Sequence, residues 1–233
     1  MCGVAIGAFV LCLAESVAEA QTRPARRPPR VQGPAPHAGS VEVSGGVTWQ
    51  GSFDLGSAGA ELTRNPMTGT GPFPLFLAES RLGSGTGVQA RVTGYVSPRF
   101  ALEGGVRLTR PLLSVDLSGD SESAPNQVAE ERLTQYVFEG SAAWHFGDVQ
   151  RRRVVPFVAG GAGYIRDLHE GNELVETGTE YHGVGGVKIW FSDRPRRLGL
   201  RGEAGVSIRD GGFDFREGRR TLPIASASLV YLF

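Results

Sequence analysis

The 233-residue chain has two cysteines, Cys2 and Cys12, and both fall within its first twelve residues. Any domain beyond them is without thiols, which excludes disulfide staples and thiolate metal sites there. Lysine is nearly missing as well: Lys188 is the single one, and every other basic residue is arginine. Neither sign of charge dominates, with 24 Lys+Arg against 24 Asp+Glu, and that balance argues against nucleic acid as a partner. A transmembrane helix needs roughly 20 apolar residues in a row, and here charge or glycine interrupts every apolar stretch too early. What the chain has in quantity is glycine: 34 residues, scattered through alternating segments and not gathered in a linker.

Residues 3–14 are apolar and are followed by Ala18-Glu19-Ala20 before Gln21, so residues 1–20 are expected to be a secretory signal with an A-x-A cleavage site. No Lys or Arg precedes the apolar run, a departure from the usual pattern. Cys12 follows Phe9-Val10-Leu11, a poor lipoprotein box, so no lipid anchor is expected. Removing the signal takes out Glu15 and Glu19 and leaves 24 basic against 22 acidic residues, a net charge of +2. Residues 21–39 carry four arginines among five prolines and almost no large apolar side chain. Such a segment stays extended and unfolded, here as a periplasmic spacer or, alternatively, as a tether to anionic polymer or headgroups.

From residue 40 the hydrophobic period is two, the period of strands. Eight strands are predicted, over residues 41–53, 86–97, 100–113, 133–146, 154–166, 179–191, 198–209 and 221–233. In residues 100–113, for example, Phe100, Leu102, Val106 and Leu108 alternate with Glu103, Arg107 and Thr109. Residues 154–166 are glycine-rich and leave their phase open. Gly46-Val-Thr-Trp49, Gly105-Val-Arg-Leu108, Gly186-Val-Lys-Ile189 and Gly205-Val-Ser-Ile208 share one pattern, in which the glycine is expected to face inward and leave room for bulky charged neighbours. The connections at 97–99, 147–153 and 193–197 are short; those at 54–85, 118–132, 169–178 and 210–220 are longer. Counting back by twos from Phe233 gives Tyr231, Leu229, Ala227, Ala225 and Pro223, an unbroken apolar face. Aromatics gather at two levels. Phe100, Trp144, Phe146, Phe191, Tyr231 and Phe233 lie near short turns, and Trp49, Phe53, Tyr136 and Tyr181 near long loops. Two such girdles, with short turns on one side and long loops on the other, suit a barrel wall crossing a bilayer.

On these grounds the segment 40–233 resembles the small eight-stranded barrels of the outer membrane protein A and opacity-protein type. The resemblance implies an all-β, eight-stranded antiparallel up-and-down transmembrane β-barrel in the bacterial outer membrane. It also implies that Leu229, Tyr231 and Phe233 act as the C-terminal signal read by the barrel assembly machinery, with outer-membrane lipid and lipopolysaccharide as surroundings. Arg110 and Pro111 break the apolar face of the third strand and are expected at the outer rim.

If the polar face points inward, the lumen holds Glu42, Glu103, Glu139, Glu180 and Glu203 with Arg91, Arg107, Lys188 and Arg201, joined by His145 and His182. Eight strands enclose a space that side chains fill, and buried charges must pair or be solvated. A salt-bridged structural interior is therefore expected, with a narrow ion or solute path as the alternative. Alternation alone does not say which face is wet; a soluble lipocalin-like barrel, apolar inside and charged outside, is a second alternative.

Catalysis is not expected. A lipid A deacylase needs Ser, His and an acid together at the outer leaflet, and His182 with Glu180 looks inward, away from lipid. His169-Glu170-Gly-Asn-Glu173 lacks the second histidine of a zinc-protease helix. Gly83-Ser-Gly85-Thr-Gly87 enters a strand and opens no helix, so it is no phosphate cradle. Asp116, Asp120 and Glu122 form a solvated acidic loop, with bridging of divalent cations to lipopolysaccharide as the alternative. Neither cofactor nor metal is implied. The 54–85 loop exceeds thirty residues, a length that marks functional or disordered loops. Its apolar run Pro72-Phe-Pro-Leu-Phe-Leu77 is expected to pack over the barrel mouth or to touch a surface ligand.

Overall fold

The computed structural model describes residues 35–62, 73–120, 125–147, 152–169, 175–191, 197–211 and 219–233. The leader and most of the Arg/Pro segment lie outside these residues, as do Glu122, the loop stretch 63–72 and most of the His169–Glu173 sequence. Twelve strands run through them: β1 Val41–Gln50, β2 Phe53–Leu62, β3 Phe73–Leu82, β4 Gly85–Tyr95, β5 Phe100–Thr109 and β6 Leu112–Ser118. β7 Gln127–Arg132, β8 Thr134–His145, β9 Val154–Leu168, β10 Val175–Trp190, β11 Leu198–Gly211 and β12 Arg220–Leu232 complete them. Eight close into an antiparallel barrel in the order β1-β12-β11-β10-β9-β8-β5-β4, with β4 pairing back onto β1.

The remaining four, β2, β3, β6 and β7, form a separate sheet in the order β2-β3-β6-β7. Two expectations are corrected by it. The 54–85 and 118–132 connections are paired strands and not loops over most of their described lengths, and the barrel strands predicted over 41–53 and 100–113 end at Gln50 and Thr109. The breaks have local causes. At the first, Gly51 packs against the Pro223 ring and donates its N–H to the Pro223 carbonyl at 2.9 Å. At the second, Arg110-Pro111 interrupts the ladder, since proline has no N–H to give. The small sheet has its own core, Leu55, Leu82, Leu113 and Leu133, and is tied to the barrel rim. There Arg220 donates to the Leu55 carbonyl at 2.9 Å, and Glu131 pairs with His169 at 2.9 Å. Phe53, expected in an aromatic girdle, instead packs half-buried against that leucine cluster, because the chain has left the barrel wall by then.

The barrel is polar inside and apolar outside. Val47, Val88, Val92, Leu102, Phe138 and Leu229 are each more than half exposed on the outer wall, while Glu42, Gln50, Thr93, Thr109 and Glu180 are wholly buried. A soluble barrel with an apolar cup requires the reverse, so that alternative is overturned. The open phase of β9 is settled too: Val155, Phe157, Ala159, Ile165 and Asp167 point inward and Val154, Val158 and Tyr164 outward. Both of its faces are apolar over much of the length, which is why alternation is silent there. Trp144, Phe146, Phe191, Tyr231 and Phe233 are exposed toward the short-turn rim, and Phe100 is half-buried with its ring 6.4 Å from Trp144. Toward the opposite rim Trp49, Tyr181 and Tyr164 are exposed and Tyr136 is half-buried. A charge placed on this outer wall tests its contact with lipid. Val106→Arg is expected to destabilise the barrel by about 2–4 kcal/mol in bilayers, measured by urea unfolding in lipid vesicles. A loss below a few tenths of a kcal/mol would contradict a lipid-facing wall.

The glycine repeat also needs a different explanation at three of its four positions. A Cβ on Gly46, Gly186 or Gly205 would collide with backbone of the adjacent strand, at Ala227, Gly202 and Gly183 respectively (at Gly186 with the Phe157 ring too), and not with a charged side chain. These glycines allow neighbouring strands to approach closely inside a narrow barrel.

Candidate functional site

The candidate site is the lumen. Parity delivers its side chains: residues two apart on one strand share a face, and closure brings eight such faces together. Every one of the nine charged residues expected in the lumen lies inside the barrel.

At the short-turn end, Lys188 of β10 donates to both oxygens of Glu42 on β1, at 2.7 and 3.0 Å. Tyr95 donates its hydroxyl to Glu42 at 3.0 Å, and the Lys188 ammonium lies 5.3 Å from the Tyr95 ring and 5.8 Å from that of Phe157. Around this pair, Tyr95, Ala101, Val155, Trp190, Val230 and Leu232 form an apolar floor. His145 is fully buried there between the Tyr95 and Phe157 rings.

In the middle, Arg201 of β11 grips Glu103 of β5 with two parallel bonds of 2.7 and 3.0 Å and also holds Glu203 at 2.6 Å. Its guanidinium lies 4.3 Å from the Phe157 ring. Arg91 of β4 donates to Glu203 at 3.0 Å and to Glu139 of β8 at 2.8 Å. Bidentate arginine forks of this kind are the stronger class of ionic hydrogen bond.

Toward the other rim, Arg107 donates to Glu180 and lies 3.9 Å from Glu139. Arg209 donates to Glu180 at 3.1 Å and to Gln50 at 2.9 Å. A layer of hydroxyl and amide groups ending on Asp167 follows, in which the Thr109 hydroxyl reaches Gln135 at 3.2 Å and Gln135 donates to Asp167 at 2.8 Å. Arg209, Asp167, Tyr95, Gln50, Thr109 and Gln135 join the network beyond the residues expected in it. All but Asp167 carry the same parity signal as the expected ones. Asp167 lies one residue past the predicted end of a strand whose phase the sequence leaves open.

Five basic side chains (Arg91, Arg107, Lys188, Arg201, Arg209) thus face six acidic ones (Glu42, Glu103, Glu139, Asp167, Glu180, Glu203) among the described residues. The space left among them is small. The void lined by Arg91, Glu139, His182, Arg201 and Glu203 admits about 10 Å³ of water-centre volume, enough for about one water molecule. His182 and Glu180 both face this interior, and neither reaches the outer wall.

Outside the barrel, an open groove of about 320 Å³ lies on the four-stranded sheet, lined by Asp54, Ser57, Glu79, Arg81 and Asp116 among others. The Arg81–Asp54 bond of 2.8 Å there is largely exposed, and such surface pairs contribute at most about 1 kcal/mol. Phe76 and Leu77, from the apolar run singled out in the sequence, are exposed on β3. Apart from that run, Phe53, Asp116 and Leu112–Leu113 at the end of a predicted strand, the residues of this outer sheet carry no signal in the sequence, since most of its length lies within what reads as loops.

No protein-family profile matches the chain, and no curated protein sequence does. Solved structures do. Outer membrane protein OprG from Pseudomonas aeruginosa is 11% identical over 85% of this chain and 98% of its own, with a TM-score of 0.52. Ail, the attachment invasion locus protein of Yersinia pestis, is 11% identical over 84% and 99%, with a TM-score of 0.43. The N-terminal β-barrel domain of Pseudomonas aeruginosa OprF is 12% identical over 84% and 99%, with a TM-score of 0.39. With eight antiparallel strands closed on themselves, charge inside and an apolar wall outside, the chain has the fold of the small eight-stranded outer-membrane barrels.

Proposed function

We propose that this chain is a non-catalytic protein of the bacterial outer membrane whose barrel serves as an anchor and whose outer sheet meets the cell's surroundings. The observation that carries the reading is the packed lumen. Among the described residues an apolar floor, a layer of ion pairs and a layer of amides follow one another, and the void within the ion pairs has room for about one water molecule. That packing weighs against the narrow pore considered from the sequence. Placement in the membrane rests on the exposed valines, leucines and phenylalanines of the wall, and on the aromatic residues near both rims. Lipid and lipopolysaccharide are then the direct surroundings, and the Leu229, Tyr231, Phe233 ending serves the assembly machinery.

The surface role rests on the four-stranded sheet. Strands β9, β10 and β11 have 15, 16 and 14 residues, where about 9–11 cross a bilayer, so the wall itself also extends past the membrane. Asp54, Glu79 and Asp116 give the sheet's groove an acidic cast, suited to a cationic surface ligand.

The deciding experiment is single-channel recording on the purified barrel in a planar bilayer, after boiled and unboiled samples have shown the gel shift of a folded barrel. Silent traces are the expected result. Reproducible conductance steps from heat-modifiable protein would replace the anchor reading with the pore.

A further inference from the structure

We propose that Glu139, Glu180 and His182 form a divalent metal site in the middle of the lumen, suited to Zn²⁺. One ligand atom from each residue can be chosen so that all three lie within 4.8 Å of one another. The register explains the convergence. Glu139 on β8 is opposite Gly163 on β9, and Gly163 is opposite Glu180 on β10. His182, two residues along β10, is opposite Gly161. Both intervening residues of β9 are glycines facing inward, so no side chain stands between the two outer strands of the trio.

An observation independent of the cluster points to a ligand. His182 is only 9% exposed and its Nδ1 is buried without a hydrogen-bond partner. A buried polar nitrogen left unpaired is destabilising, and a metal bond would remove that cost. The donor set, one imidazole and two carboxylates, is one that zinc accepts with a water in the fourth position. The water-sized void beside Glu139 and His182 supplies that position.

The surroundings act on the ligands in two further ways. Arg91 binds Glu139 at 2.8 Å and Arg209 binds Glu180 at 3.1 Å, so the carboxylates are oriented by outer partners as ligating carboxylates commonly are. A carboxylate has about four acceptor positions, which leaves room for a metal beside these arginines. Arg107 reaches both carboxylates as well, so the ion would take a place beside Glu139 and Glu180 that this guanidinium now shares. Held between β8 and β10 across β9, the ion would staple three neighbouring strands.

The test uses the mature protein refolded into detergent with CoCl₂ or ZnCl₂, washed with chelator and confirmed as folded by its heat-dependent gel shift. Wild type is expected to retain about one ion per chain, to show visible Co²⁺ absorption, and to unfold at a higher temperature with metal than without. His182→Gln is expected to lose the retained ion, the absorption and the metal-dependent shift together. His145→Gln, which alters the other lumen histidine, is expected to keep all three. Should His182→Gln fail to fold, Glu139→Gln takes its place. Wild type boiled before the wash is expected to retain nothing. A folded wild type without bound metal overturns the site. So does a folded His182→Gln that binds as wild type does, because the ion would then sit at a surface histidine.

Discussion

Gly205→Ala is expected to keep most of the protein from closing into a barrel. The new methyl group would fall well inside contact distance of the Gly183 carbonyl oxygen and the Val184 Cα on β10. These are backbone atoms in the middle of a hydrogen-bonded ladder, so they cannot swing aside as a side-chain tip can. Overpacking in a core costs about 1–3 kcal/mol and occasionally more, and a backbone clash belongs at the upper end, about 3 kcal/mol. Gly46→Ala should behave alike, against Ala227 and Ser228 of β12. The controls are close by: a methyl group on Gly183 or Gly202 would have nothing within 4 Å, and alanine there should be neutral within about 0.5 kcal/mol. Urea midpoints and the heat-modifiable fraction report the difference. Equal losses at all four sites would show that glycine matters here for chain flexibility alone and not for strand approach.

Arg201→Met should cost about 3–5 kcal/mol, the range for removing one partner from a buried ionic cluster. Arg201 is 1% exposed and neutralises both Glu103 and Glu203. Its loss leaves Glu103 with Arg91 at 3.7 Å as the nearest remaining cation among the ion pairs described, an arginine already shared with Glu139 and Glu203. Methionine preserves much of the stem packing against Phe157, so the effect measured is mainly that of charge. The double variant Arg201→Met with Glu103→Gln should recover part of the loss, since it removes the stranded carboxylate as well. The coupling between the two sites is expected to exceed about 1 kcal/mol, as for residues in one ionic network. A penalty under about 1 kcal/mol for the single variant would mean that water enters the lumen freely and solvates the carboxylates, contrary to the dense packing there.

The barrel strands are legible in the sequence because period two persists wherever one wall face differs chemically from the other. Glu103 and Arg107, or Glu203 and Arg209, announce a shared face by spacing alone. β9 is not legible in phase, since Val155 and Phe157 line the interior as apolar residues while Val154 and Val158 line the exterior. The outer sheet escapes for a related reason. β7 is exposed along nearly its whole length, so no buried face imposes a pattern on its sequence. Trp190, Val230 and Leu232 are likewise invisible as a floor, because apolar residues on the polar parity break the alternation without saying what they meet.

By itself the sequence determined that residues 40–233 alternate through eight wall segments, that one face is charged in near balance, and that short and long connections take turns. Those properties are local, set by spacing along one strand. Only the tertiary structure decided that the charged face is the inner one, that Gly46 and Gly205 clear space for backbone, and that Arg201 rather than Arg107 holds Glu103. It also decided that Glu139 meets Glu180 and His182 across two glycines. These depend on register and closure, which bring together residues far apart along the chain, and no local period encodes which residue of one strand will face which residue of another.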